Sequence, residues 1–182
     1  MFRKAIASSF ALVAFAVASP CLLAQNGVSG QSPAEMRIAR EVRHEIVMLP
    51  YLNTFDYIAF KVDGKDVTLT GAVTDPTVKS DAGNVVKGIE GVQHVDNQVQ
   101  VLPPSPADQR IRLALFRAIY GHPPLEKYAL TVVKPIRIIV NMGHVTLEGV
   151  VDNEADKNLV QLRANSVPGI FSVTNNLQVV KP

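Results

Sequence analysis

Apolar residues recur at two different periods along this chain, and the whole sequence of periods occurs twice. Ile38, Val42, Ile46 and Leu49 stand at helical spacing, with Arg37, Arg40, Glu41, Arg43 and Glu45 between them. Ahead of them, Ser32-Pro33-Ala34-Glu35 supplies a capping hydroxyl, a first-turn proline and an acid that can close a capping box. An amphipathic helix is therefore predicted from Ser32 to near Pro50. The period then drops to two. Ile58, Phe60 and Val62, a tight Asp63–Asp66 loop, and Val67-Thr68-Leu69-Thr70-Gly71-Ala72-Val73 make a hairpin signal. A second helix is expected over about Thr77–Gly88, and a last strand carries Val95, Val99 and Val101.

The second copy begins at Ser105-Pro106-Ala107-Asp108, 73 residues after the first. Ile111, Leu115 and Ile119 take the helical positions; Ile136, Ile138 and Val140 take the first strand. The core strand returns as Val145-Thr146-Leu147-Glu148-Gly149-Val150-Val151, 78 residues on, so five residues are inserted near Ala129–Pro135. A helix over about Ala155–Ser166 and a strand through Val173, Leu177 and Val179 complete it. Self-similarity at this period decides the architecture. The predicted fold is α+β: two tandem αββαβ modules, each a small three-stranded sheet packed by two helices. The modules span 32–102 and 108–182, joined by a proline-rich linker and helix cap at 103–107.

Val67, Leu69, Val95, Val145, Leu147 and Val173 are the expected core face. Gly71 and Gly149 interrupt strands, which predicts a bulge or a close backbone approach. Asn97 and Asn175 fall in phase with the apolar positions, so their amides need partners. Tying down the turns at Gly91 and Gly169 is the expected role.

Composition changes the picture at the start of the chain. Met1-Phe2-Arg3-Lys4 followed by an apolar run to Ala18 has the layout of a secretory signal peptide, residues 1–24. Cleavage after Ala24 is preferred to cleavage after Ala18, because Pro20 lies just past the latter; an uncleaved anchor is the rival. Residues 25–31 form a flexible polar lead-in. The only cysteine, Cys21, lies in the leader, so the mature chain is expected to have neither disulfides nor a thiol nucleophile. Without Arg3 and Lys4 the chain has sixteen bases and sixteen acids, but residues 32–102 balance at −3 and residues 105–182 at +3. Nucleic acid is a poor partner for such a chain.

Candidate chemistry is thin. His44, His94, His122 and His144 stand in four segments without metal-ligand spacing, and Ser80 and Ser166 have no evident base. Asp63 and Asp66 flank Gly64 as turn residues. No metal, cofactor or reaction is indicated.

The pattern Val-Thr-Leu-x-Gly-x-Val, a helix, then Gly-Val/Ile-x-x-Val-x-Asn-x-Val/Leu-x-Val resembles the BON domain. Both copies carry it, in Val67–Val101 and Val145–Val179. A leader followed by two such domains is similar to the OsmY-type periplasmic proteins induced by osmotic stress. The resemblance implies attachment to phospholipid membrane surfaces or to other envelope proteins, without catalysis. Pro168 replaces Glu90 before the turn glycine, and the insertion enlarges one loop, so the two modules need not share a binding face.

Two partner readings follow. An anionic phospholipid surface is expected to meet the helix from Asp108, where Leu113, Phe116 and Tyr120 lie beside Arg110, Arg112 and Arg117. The alternative use of Phe116 and Tyr120 is packing between the modules. A protein–protein adaptor or chaperone-like protein would instead use an exposed stripe such as Leu125, Tyr128 and Leu130. An undetected hydrolase is the third reading. Which lipid or partner, and the oligomeric state, are not legible.

Overall fold

The computed structural model describes residues 32–131 and 133–180. The leader, Cys21 and both cleavage points lie outside these residues. Helix α1 (Pro33–Val47) starts on a complete capping box: the Ser32 hydroxyl accepts from the Glu35 N–H, and the Glu35 carboxylate accepts from the Ser32 N–H. Strands β1 (Tyr57–Asp63) and β2 (Asp66–Val73) form the hairpin, with Val62 opposite Val67. Helix α2 (Pro76–Lys87) leads to β3 (His94–Asn97) and β4 (Gln100–Val101), both parallel to β2.

The second module repeats this order. Helix α3 (Pro106–Tyr120) is followed by a 3-10 helix (Pro123–Ala129), β5 (Ile136–Asn141), β6 (His144–Val151), α4 (Glu154–Asn165), β7 (Ser172–Asn175) and β8 (Gln178–Val179). In each sheet the second strand is central and the first strand is an edge.

The α+β prediction of tandem modules holds, with one refinement. The last strand of each module is broken into two pieces, and the asparagines hold the break. Asn97 accepts from the Val99 N–H and donates to the Lys79 carbonyl at 2.7 Å; Asn175 does the same with Leu177 and Lys157. The amides thus tie the interruption to the preceding helix, which corrects the expectation that they fix the Gly91 and Gly169 turns. Those glycines hold φ of 93° and 85°, a conformation that L side chains avoid. At Gly71 and Gly149 the register runs through without a bulge, and a Cβ would overlap the carbonyl of Tyr57 or Pro135. Close approach is the reason for both.

Each module has its own core. One gathers Ile38, Val42, Val67, Leu69 and Val86; the other gathers Ile111, Leu115, Val145, Leu147 and Val160. Val95 and Val173 are only half-buried, contrary to expectation, because β3 and β7 are outer strands covered on one side. The 3-10 helix ahead of the insertion is ordered into the second core: Leu125 and Tyr128 are buried there. The adaptor stripe is therefore corrected, since only Leu130 of its three residues is exposed.

Candidate interaction surfaces

The face of α3 expected to meet lipid does not exist as one surface. Arg112 and Tyr120 are only 3% and 5% exposed. Arg112 donates to the Val140 carbonyl at 2.6 Å, and the Tyr120 hydroxyl donates to the Ile136 carbonyl while accepting from the Ile136 N–H. Burial lowers the pKa of Arg112, opposed by Asp108 and Asp56, and raises that of the Tyr120 phenol. Phe116 is half-buried, tilted against Tyr120 with ring centres 4.8 Å apart and edge-on to Phe55 of the first module at 6.2 Å. The helix stripe at 112, 116 and 120 is thus a packing element, at i, i+4 and i+8 beside the core stripe. Arg110, Leu113 and Arg117 remain exposed.

The two hairpin tips are built alike and finished differently. In each, the acid of the first helical turn holds the tip: Glu35 accepts from the Gly64 N–H, and Asp108 accepts from the Met142 and Gly143 N–H groups. The segment after the turn glycine docks on the tip by an equivalent bond, Gln93 to the Lys65 carbonyl or Phe171 to the Gly143 carbonyl. The side chains diverge. Where the first module has Asp63, Gly64, Asp66, Glu90 and Gln93, the second has Asn141, Met142, His144, Pro168 and Phe171. Three exposed acids are gone. Met142 is 68% exposed and Phe171 79% exposed, and the Phe171 ring lies over the turn glycine, 5.8 Å from the His144 ring. Exposed Arg110 and Pro168 border the same hollow nearby. The result is an apolar end on which none of those three acids is retained, with Arg110 two residues along α3 from the Asp108 that holds the turn. Sequence reading missed Phe171 and Met142; comparing the copies position by position is the signal that finds them.

Hydrolytic chemistry finds no support among the described residues. No group of three metal-ligating side chains is assembled there. Ser80 and Ser166 spend their hydroxyls on carbonyls of their own helices, and His144 shares a 2.7 Å hydrogen bond with Ser172. No described helix is long and apolar enough to cross a membrane.

The BON domain pattern matches residues 35–103 and 125–181. The chain belongs to the BON-domain family. In the second module the match begins after α3, the helix that carries Arg112 for Ala39, Phe116 for Arg43 and Tyr120 for Val47. Osmotically-inducible protein Y of Escherichia coli (strain K12) is 29% identical over 123 residues, which cover 66% of this chain and 61% of that protein. The match thus spans less than two thirds of that relative's length. Two solved structures of CdsD, a structural protein of the type III secretion system of Chlamydia trachomatis, are similar at 13% identity. One has a TM-score of 0.33 and covers 79% of this chain and 92% of its own; the other, a C-terminal domain, has 0.27, 78% and 96%. Neither bears on function.

Proposed function

We propose that this BON protein is a non-enzymatic, exported envelope protein, periplasmic after cleavage near Ala24, that attaches to anionic phospholipid surfaces under osmotic or envelope stress. The observation that carries the reading is the second module's tip. Met142 and Phe171 offer apolar surface, Arg110 supplies a cation, and the acids of the first module's tip are absent. An interfacial contact needs that combination: apolar side chains to enter the headgroup boundary and positive charge beside them. Burying a phenylalanine contributes about 1.5–3 kcal/mol and a nearby arginine on the order of 1 kcal/mol, which gives reversible attachment. The osmotic induction named in a relative, the basic–apolar leader and the family all support the setting. No reaction is assigned.

Cosedimentation with vesicles of equal phosphatidylglycerol and phosphatidylcholine, against phosphatidylcholine alone, tests it. Binding is expected to the anionic vesicles and to fall with salt. Met142→Gly and Phe171→Gln install the first module's own residues on the same backbone and should each weaken binding about tenfold. The chain has no tryptophan, so Phe171→Trp gives a single reporter whose emission should shift to the blue on binding. Sedimentation indifferent to lipid charge, or unchanged by both substitutions, overturns the reading.

A further inference from the structure

The geometry points to a peptide-docking groove in the first module: the outer edge of β1 accepts an extended, acidic strand from a partner protein. The Tyr57 carbonyl faces β2, where it crowds Gly71. Backbone direction alternates along an antiparallel strand, so the N–H and C=O groups of Ile58, Phe60 and Val62 face outward. Unpaired edges of this kind recruit strands unless they are covered.

The second module shows what covering looks like. Its equivalent outward residues are Ile136, Ile138 and Val140, and α3 caps the first and last with Tyr120 and Arg112. The first module has Val47 and Ala39 at those helix positions. Neither has a side-chain polar atom, and both are too short to fill the space. What remains is a cleft of about 670 Å³ between α1 and β1, walled by Ala39, Ile46 and Val47 and by the β1 edge from Tyr57 to Phe60. A volume of this size is typical of ligand sites. A helix and a bare strand edge facing one groove is the arrangement that binds peptides by strand addition.

Charge selects the occupant. Arg43 of α1 and Arg137 of the second module line the cleft. Burial lowers the Arg137 pKa, opposed by Tyr120, Tyr57 and Asp56, so an incoming carboxylate would relieve a half-desolvated cation. Asp56, also in the wall, is spent on Asn53 and Thr74. A second copy pairing through its own β1 would bring Arg43 toward Arg43, whereas an acidic strand meets opposite charge. The groove is separate from the lipid-facing tip and does not depend on it.

The probe is a fluorescent ten-residue peptide of alternating valine and threonine with glutamates at both ends, titrated into the full chain. Saturable binding is expected, with slowed hydrogen exchange at the Ile58, Phe60 and Val62 amides. The same peptide N-methylated at alternate residues should fail to bind, and a lysine-ended version should bind at least tenfold more weakly. The double substitution Ala39→Arg with Val47→Tyr transplants the second module's caps and should weaken binding at least tenfold. Should that variant unfold, the exchange and N-methylation results decide. Absence of binding, or binding indifferent to N-methylation or to the folded capped variant, overturns the proposal. So does a concentration-dependent dimer that the caps abolish in a chain that ignores the peptide, since the occupant is then a second copy.

Discussion

At the seam between its first helix and first strand, each module answers the same structural question differently. In the second module, Arg112 and Tyr120 reach from α3 to the edge of β5, and Phe116 fills the remaining space against Phe55. In the first, Ala39, Arg43 and Val47 leave the edge of β1 open. At the hairpin tips the contrast reverses: the first module is acidic and polar there, the second apolar. The lesson is that duplication preserved the frame and let the surfaces part. The glycines, the strand-break asparagines and the turn-holding acids recur at equivalent places because the backbone needs them. The side chains that face outward are free to specialise, one module at its edge and the other at its tip.

The independence of the two cores is the part of this comparison with the largest measurable effect. Leu69 and Leu147 are both fully buried, each in a separate cluster. Leu69→Ala or Leu147→Ala in the full chain should cost about 2–5 kcal/mol, as for buried leucines generally. Hydrogen exchange should show the loss in the substituted module, with amides of the other retaining protection. Equal loss in both modules would mean that they unfold as one unit and that the contact at Phe55 and Phe116 carries more than its size indicates.

Removing the caps of the second module comes next. Tyr120→Phe keeps the ring packed but takes away the hydroxyl that serves both the carbonyl and the N–H of Ile136. The expected cost is about 1–3 kcal/mol, since buried backbone groups are left without partners. Val47→Phe in the first module should cost little, because no hydrogen bond existed there to lose. A Tyr120→Phe variant as stable as wild type would erase the distinction between a capped and an open edge.

A third contrast lies where the first strand is entered, and it can be read by pH. The N–H groups of Thr74 and Asp152 are equivalent. The first is met by the Asp56 carboxylate and the second by the Tyr128 hydroxyl, which in turn donates to Asp156 at 2.6 Å. Lys127 bridges Asp152 and Asp156. Burial alone would raise the Asp156 pKa, but hydrogen bonds from Lys127 and Tyr128 outweigh it and hold the carboxyl below its usual 3.8. A depressed folded-state pKa gives stability that is fully present above the unfolded value and lost as pH falls through the folded one. Wild type should therefore lose its advantage over Asp156→Asn only below about pH 4. Denaturant midpoints at neutral pH and in acid check this, and an advantage that persists unchanged at low pH removes the ion network from the account.

How much of this was legible in the chain depends on range. Helix starts at Ser32 and Ser105 are local and readable, because cap, proline and acid lie within one turn. The repeat is readable because apolar periodicity survives divergence. The burial of Arg112 and Tyr120 is not legible because their partners, Val140 and Ile136, lie 28 and 16 residues away, and an arginine on a helix is normally solvated. Their alignment with Ala39 and Val47 was the available clue: long hydrogen-bonding side chains in place of short apolar ones. Leu125 and Tyr128 read as exposed for a similar reason. The short connection after α3 reads as surface until it is seen to supply the phenol that replaces Asp56. The strand break could not be foreseen from alternation, since Val95, Val99 and Val101 fit one continuous strand equally well.

The smallest expected effect tests whether the second module's tip is shaped by folding or by contact. Gly64 and Met142 occupy the same turn position, with φ of 60° and 49°. Glycine adopts this left-handed conformation without penalty, whereas an unbranched L side chain is held there at a cost of roughly 1 kcal/mol. Part of that is returned, because glycine has more freedom to lose on folding. Met142→Gly should thus raise stability by up to about 1 kcal/mol, and the reverse change Gly64→Met should lower it by a similar amount. Both are read from denaturant midpoints, ideally in one series so that small differences are meaningful. A residue that strains its turn and exposes most of its surface contributes nothing visible to the fold. If Met142→Gly gains stability and loses vesicle binding together, the methionine is there for contact. If it destabilises instead, the thioether supports the tip through packing with its neighbours, and the apolar end is a structural feature of the second module.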